Sequence, residues 1–496
     1  MFCQLVYLRR CIPARIRRAL KELPKTLDET YARSLEEIDE QNWEFALRLF
    51  QCVAAASRPL HVSELAEFLA FDFDAGPTPP FLSEWRPEDP KHAVLSICSS
   101  LLAVVKQGDS QVVQFAHFSV KEYLTSARLS KAKDTISHFH ISMTAAHTIL
   151  AQACLGVLLH LDDETVTSDS LGEFPLVEYA AEYWVGHARF ESVSASVQDG
   201  MKRLFDPNKR YLSFWTWIYD PRIRSRRHTY SEGPEEVMAG PLHYAAFCGL
   251  HDVVKFLIVE HSQDVNIRGF YDNETPLHSA LHGGHADIAL LLLEHGADAK
   301  AEDGREQIPL HLASGNGHVE VVRVLLEHGA DPEARDDDDY SPLERASRGG
   351  HTKVARVLLE HGANVNAQDG QNFTPLHIAG GEEVTRLLLK HGADANARKT
   401  DGRTPLHHLS YTGRVEATRV LLEHGVDANT RDASNATPLH LASWGSRDIV
   451  RLLLQHSADI HARDDEGETP FMRATAGNRQ DIIQILLEHG AEDHRE

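Results

Sequence analysis

The chain carries 31 histidines and 6 cysteines in 496 residues, the residue types that hold metals, activate nucleophiles and move protons near neutral pH. Their spacing argues against each use. The cysteines stand at 3, 11, 52, 98, 154 and 248, with no C-x-x-C pair to grip zinc or staple a small domain, and read as reduced thiols of an intracellular protein. Fourteen of the 31 histidines recur at two positions of a repeated block, where packing and local hydrogen bonding set them. His138 and His140 are two apart and share no helix face, and Cys248 beside His243 or His251 lacks a third, orienting group. A phosphate-cradling loop needs G-x-x-x-x-G-K-[ST], yet no Gly-Lys dipeptide occurs in the sequence. The glycosylation patterns at Asn273, Asn372 and Asn435 share one repeat position, where a turn favours Asn and a helix cap favours Thr. The expectation is no catalytic residue, no cofactor-binding residue and no metal ligand.

What positions the histidines is a repeat. Prolines at 241, 276, 309, 342, 375, 405, 438 and 470 open eight similar blocks, and histidines at 261, 295, 328, 361, 391, 424, 456 and 489 close them. Each block predicts a turn, a TPLHxA helix, a short turn and a second helix rich in leucine. Thr275, Thr374, Thr404, Thr437 and Thr469 suit the N-cap, and the proline after each suits the first helical position, where a missing N–H costs nothing. Gly296, Gly329, Gly362, Gly392, Gly425 and Gly490 stand where a left-handed C-cap is wanted. T-P-L-H-x-A at a period of about 33 resembles the ankyrin repeat. The blocks depart from that pattern at Ile308, at Glu344 and at Pro470-Phe471-Met472. The fifth is three residues short between Pro375 and His391, which predicts a stunted inner helix.

Charge changes along the chain. The formal net charge is −23 overall, with −20 carried by residues 232–496 and a basic excess confined to residues 1–33. Ile12, Ile16, Ala19, Leu20 and Leu23 give that basic stretch one apolar helical face. Further on, Trp43, Ala46, Leu47, Phe50, Val53 and Ala54 share a helix face, and Val62, Leu65, Phe68 and Leu69 a second. A third helix falls around Ala93 to Ser100, and LLAVVK and QVVQFAH read as a hairpin. Three helices and a two-stranded wing make the winged-helix plan. Helical patterns follow at Ile141 to Leu161 and Val177 to His187, then the aromatic run Tyr211 to Asp220, expected to be packed rather than to stack bases, and an arginine stripe at 222, 224, 226 and 227.

LRRC with IRRALKELPKTLDETYARSL, FAHFSVKEYLTS and PLVEYAAEYWVGHARF resemble the region after the nucleotide-binding NACHT module in fungal NACHT and ankyrin-repeat proteins. The resemblance implies a NACHT ATPase core that this chain lacks, with Met1 near the end of such a module. The expected fold is mainly α: a NACHT remnant at 1–33, a winged-helix domain with a small β hairpin at 34–130, a helical connector at 131–231 and an α-solenoid of eight ankyrin repeats at 236–496.

The expected function is non-catalytic protein recognition, the scaffold and regulatory end of a NACHT-type signalling protein. The alternative is the C-terminal half of a signal-transducing ATPase whose NACHT module is encoded upstream. Four residues beyond the TPLH histidine position, Phe247, His282, Arg348, Tyr411 and Trp444 form a candidate partner-binding groove. Between blocks, Asp272, Asp303, Asp336, Asp337, Asp338, Asp339, Tyr340, Asp369, Asp401, Asp432, Asp464 and Asp465 form a row of candidate fingertip contacts for a partner with a basic segment. Acidity argues against nucleic acid, and the third helix of the winged domain offers only Lys91 and His92 beside Glu84, Glu88 and Asp89. The longest apolar run, Thr148 to Leu161, is broken by Gln152 and falls short of the roughly 20 residues a membrane crossing needs. MFCQLVYLRRC lacks the features of a secretory signal. The expected location is cytoplasmic.

Overall fold

The computed structural model describes residues 26–98, 100–108, 110–131, 135–161, 170–223, 239–269 and 272–492. The basic face at Ile12 to Leu23, the arginines at 224, 226 and 227, and the boundaries at 231 and 236 lie outside these residues. The chain divides into two compact units. One comprises the described residues of Met1–Val237 and Asp252–His261, the other those of Met238–His251 and Ser262–Glu496.

In the first unit a helix spans Leu27–Glu36, its first turn capped by the Thr26 hydroxyl, which accepts the Glu29 N–H at 3.2 Å. The winged-helix helices run Trp43–Ala55, Val62–Glu67 and Pro90–Cys98. The wing gains a strand over the two-stranded expectation. Strand β1 (Leu60–His61) pairs antiparallel with β3 (Ser110–Phe115), which also pairs with β2 (Leu102–Gln107), giving the order β1-β3-β2. Two residues are too short a run for periodicity to reveal; only the pairing of Leu60 with Val113 makes them a strand.

Two buried carboxylates tie this domain together. Glu64 takes both terminal nitrogens of Arg58, at 2.8 and 2.6 Å, and the His61 N–H at 2.7 Å. Glu67 takes the Arg86 Nε–H at 2.6 Å, and Arg86 lies 4.8 Å from the Phe81 ring centre, which fastens the proline-rich segment onto the second helix.

Beyond the wing, long helices at Met143–Leu158 and Val177–Ala188 pack together, and a third spans Tyr211–Ile218. Its aromatic side chains Phe214, Trp215 and Trp217 are buried. The Trp215 indole donates to the Ala181 carbonyl at 2.8 Å and meets Trp184 edge-on at 5.2 Å, so these rings build a core and offer no stacking platform.

The repeat region holds eight outer helices, from His251–Val259 to Gln480–Glu488, but seven inner helices among the described residues. In the fifth block Pro375 to Ile378 form only a turn. The three missing residues would have made most of a helical turn. Here Gly380 donates its N–H to the Ser347 carbonyl at 2.8 Å, and a side chain at that position would stand 2.6 Å from the Arg348 carbonyl, so only glycine permits the approach. Glycines close most outer helices with φ between 77° and 96°; Ser262 and Ser457 take the same left-handed conformation in the first and seventh blocks. No helix among the described residues is long and apolar enough to cross a membrane.

Candidate partner-binding site

Six of the eight repeats carry a TPLH-position histidine that bonds to a backbone carbonyl of the following turn. At Thr275, Thr374, Thr404 and Thr437 the cap N–H and O–H both reach His Nδ1, the Thr275 hydroxyl lying 2.8 Å from His278. This leaves the proton on Nε2, which donates to the carbonyl just before the next cap. The bonds run from His278 to Gln307 at 2.9 Å, His377 to Arg403 at 3.3 Å, His407 to Ala436 at 3.1 Å and His440 to Glu468 at 3.1 Å. Where Ile308 replaces threonine, its N–H alone reaches His311. These rings are buried; burial disfavours the imidazolium and lowers His278, His377 and His407 to about 4. At Glu344, which stands in the histidine position, burial instead raises the carboxyl to about 7 although Arg335 donates to it at 2.8 Å.

The turns between repeats are organised by aspartate. Asp303, Asp336, Asp369, Asp432 and Asp464 each accept two backbone N–H groups, two and four residues on, at 2.8 to 3.2 Å. An arginine ladder runs beside them. Arg335, Arg398 and Arg431 each donate to a carbonyl four residues ahead and to another on the next turn, while Arg268 joins Asn273 and Glu302. Sequence reasoning missed this ladder, although the recurrent Arg-Asp pair at 335, 431 and 463 carried it.

The structure therefore divides the acidic row. Asp303, Asp336, Asp432 and Asp464 are buried within their turns, Asp339, Asp369 and Asp401 are half-buried, and Asp272, Asp337, Asp338 and Asp465 are exposed. Several are already paired: Arg345 holds Asp336 at 2.7 Å and Asp338 at 3.2 Å, Arg403 holds Asp432 at 3.3 Å, and Lys399 holds Asp401 at 2.9 Å. Tyr340 is half-buried, with the Arg345 guanidinium 4.9 Å from its ring centre.

On the inner helices Phe247 is half-buried, whereas His282 and Arg348 are exposed. Tyr411 is 59% and Trp444 46% exposed, at equivalent positions of adjacent repeats. The Trp444 ring also rests against Gly477 of the following repeat, 3.4 Å from where a Cβ would stand.

Family models agree with this geometry. The model described as ankyrin repeats (3 copies) matches residues 233–303, 298–369, 376–464 and 431–496, together just over half of the chain. The chain belongs to the ankyrin-repeat family. An ankyrin array implies a role in protein–protein interaction. A second model, the winged helix domain of GPI inositol-deacylase, matches residues 38–141.

Azaphilone pigments biosynthesis cluster protein L of Monascus ruber is 33% identical over 295 residues, covering 56% of this ankyrin chain and 61% of that protein. Vegetative incompatibility protein HET-E-1 of Podospora anserina is 25% identical over 191 residues, 34% of this chain and 13% of its own length. The match thus spans less than two thirds of either relative. Among solved structures, the human ASB11 ankyrin repeat domain aligns at 31% identity with a TM-score of 0.40, over 44% of this chain and 97% of that one.

Proposed function

We propose that the array recognises a protein partner through its inner-helix face, with Tyr411 and Trp444 as anchors. The exposed carboxylates of Asp337 and Asp338 then steer a Lys- or Arg-rich segment of that partner. The chain serves as the recognition and regulatory part of a NACHT-type signalling assembly in the cytoplasm, with no catalytic step of its own. The observation that carries the reading is the exposure of two large aromatic side chains at one repeat position on neighbouring inner helices; aromatic anchors of this kind dominate interface energies. The NACHT-associated resemblance of the first half and the similarity to a vegetative incompatibility protein support the signalling part.

The test is to capture partners with the full chain and compare affinities for wild type, Tyr411→Ala and Trp444→Ala. Each substitution should cost about 1 to 4 kcal/mol of binding with the melting temperature unchanged. Equal affinities, or a weaker complex explained by a lower melting temperature, would refute the anchor role. For steering, Asp337→Asn with Asp338→Asn should slow association and flatten its salt dependence; equal rates and equal slopes would leave the acidic edge without a partner role.

A further inference from the structure

The groove position of each repeat is Arg348 in the fourth, Gly381 in the fifth, Tyr411 in the sixth and Trp444 in the seventh. Glycine enters this series where the inner helix is reduced to a turn. Gly380 is drawn onto the fourth repeat by its N–H bond to the Ser347 carbonyl at 2.8 Å, and Gly381 follows in an extended conformation, with φ −178°. Nothing stands within 4 Å of where a Gly381 Cβ would be. The Gly381 carbonyl accepts the Thr385 hydroxyl at 2.7 Å, which ties it to the outer helix Glu382–Lys390. A fixed backbone therefore floors an open space between two groove side chains.

The side chains that flank this space differ in kind. Arg348, one repeat before, is exposed, and among the described residues no carboxylate forms an ion pair with it. Arg345, Arg386 and Arg403, from the same stretch of the array, each hold a carboxylate. The Arg348 guanidinium lies 5.9 Å from the Tyr340 ring centre, and a planar, permanently charged fork of this kind suits a carboxylate, which it can hold through two parallel hydrogen bonds. Tyr411, one repeat after, is 59% exposed, with the Arg403 guanidinium 6.0 Å from its ring centre. A cation, a bare floor and an aromatic ring thus follow one another along the groove.

Resting on the inner-helix face as the recognition surface, we propose that the fourth to sixth repeats take an extended segment of a protein partner in which an Asp or Glu pairs with Arg348 and a large apolar side chain fills the space over Gly381 against Tyr411. Charge complementarity separates the two requirements. Glu383, exposed two residues beyond Gly381, disfavours a carboxylate over the glycine and leaves that space to an apolar group, while the partner's acid finds its only favourable place at Arg348. Asp337 and Asp338 stand in the turn that opens the same fourth repeat. A basic residue of the segment is therefore read beside its acidic one, and a segment shifted in register sets like charges together.

The experiment is selection of phage-displayed random dodecapeptides on the full chain, with the affinities of the enriched peptides then measured by fluorescence anisotropy. The expected result is a shared Asp or Glu at a fixed spacing from a large apolar residue. Arg348→Glu should weaken these peptides at least about 10-fold, and changing their shared acid to Lys should restore binding to that variant. Gly381→Leu should weaken them as much, since its side chain enters open space from a backbone conformation that any residue adopts; an unchanged melting temperature confirms that it is folded. No enrichment, enriched peptides without a shared acid, or unchanged affinity in either variant would overturn the proposal. If Tyr411→Ala and Trp444→Ala then still weaken the peptides, only this inference fails; if none of the four substitutions alters affinity, the inner-helix reading fails with it.

Discussion

Acidification should unlock the array through its histidines. His278, His377 and His407 are buried and neutral, each with Nε2 donating to the next turn, and burial lowers each to about 4. In the unfolded chain they titrate near 6.5. Between these values the unfolded state binds protons that the native state refuses, so stability is full above about pH 6.5 and falls as pH drops toward 4. At about 1.4 kcal/mol per pH unit, each histidine withdraws about 2 kcal/mol between pH 6.5 and 5.0, or about 6 kcal/mol for the three.

Glu344 works in the opposite sense. Its carboxyl, raised to about 7 by burial, favours the native state as pH falls and returns about 2 kcal/mol over the same interval. The net loss of about 4 kcal/mol should lower the melting temperature by roughly 10 °C for an array of this size. Thermal unfolding of the full chain by circular dichroism at pH 7.5, 6.5 and 5.0, at constant ionic strength, reads this directly. In His407→Gln, an amide that still donates but does not titrate, the pH 6.5 to 5.0 shift should shrink by about half, because one histidine supplies about 2 of the net 4 kcal/mol. A melting temperature that moves less than about 2 °C over this range, or an unchanged shift in His407→Gln, would refute the reasoning.

Gly380→Ala should cost about 2 to 3 kcal/mol in urea unfolding, because the new methyl group meets the Arg348 carbonyl at 2.6 Å and backbone on both sides must shift. Arg345→Ala leaves Asp336 buried without its guanidinium, and should destabilise the array by about 3 kcal/mol, with Asp336→Asn in the same background restoring part of the loss. Glu64→Ala should destabilise the winged-helix domain by about 3 kcal/mol, since it strands the Arg58 guanidinium and the His61 N–H together; hydrogen exchange in β1 and β3 is the local readout.

Repetition made much of this protein legible in its sequence. Thr-Pro at a helix start, glycine at its end and a fixed period are local signals, each with a steric or hydrogen-bonding cause that acts within a few residues, and eight copies averaged out the exceptions. The same locality exposed the short fifth block. The three winged-helix helices were readable for the same reason, from apolar residues at helical spacing.

What remained hidden depends on residues brought together from different turns. Asp303 and Asp337 look alike in sequence, but one is buried and bonded to its own turn while the other faces solvent, because register within the turn decides which carboxylate points inward. The arginine ladder and the Arg403–Asp432 pair bridge residues about one repeat apart, a distance at which composition says nothing about contact. Local preference determined that this chain would be a stack of helix pairs; only stacking, which sets turn against turn, decided which charges meet, because electrostatic partnership depends on separation in space and not along the chain.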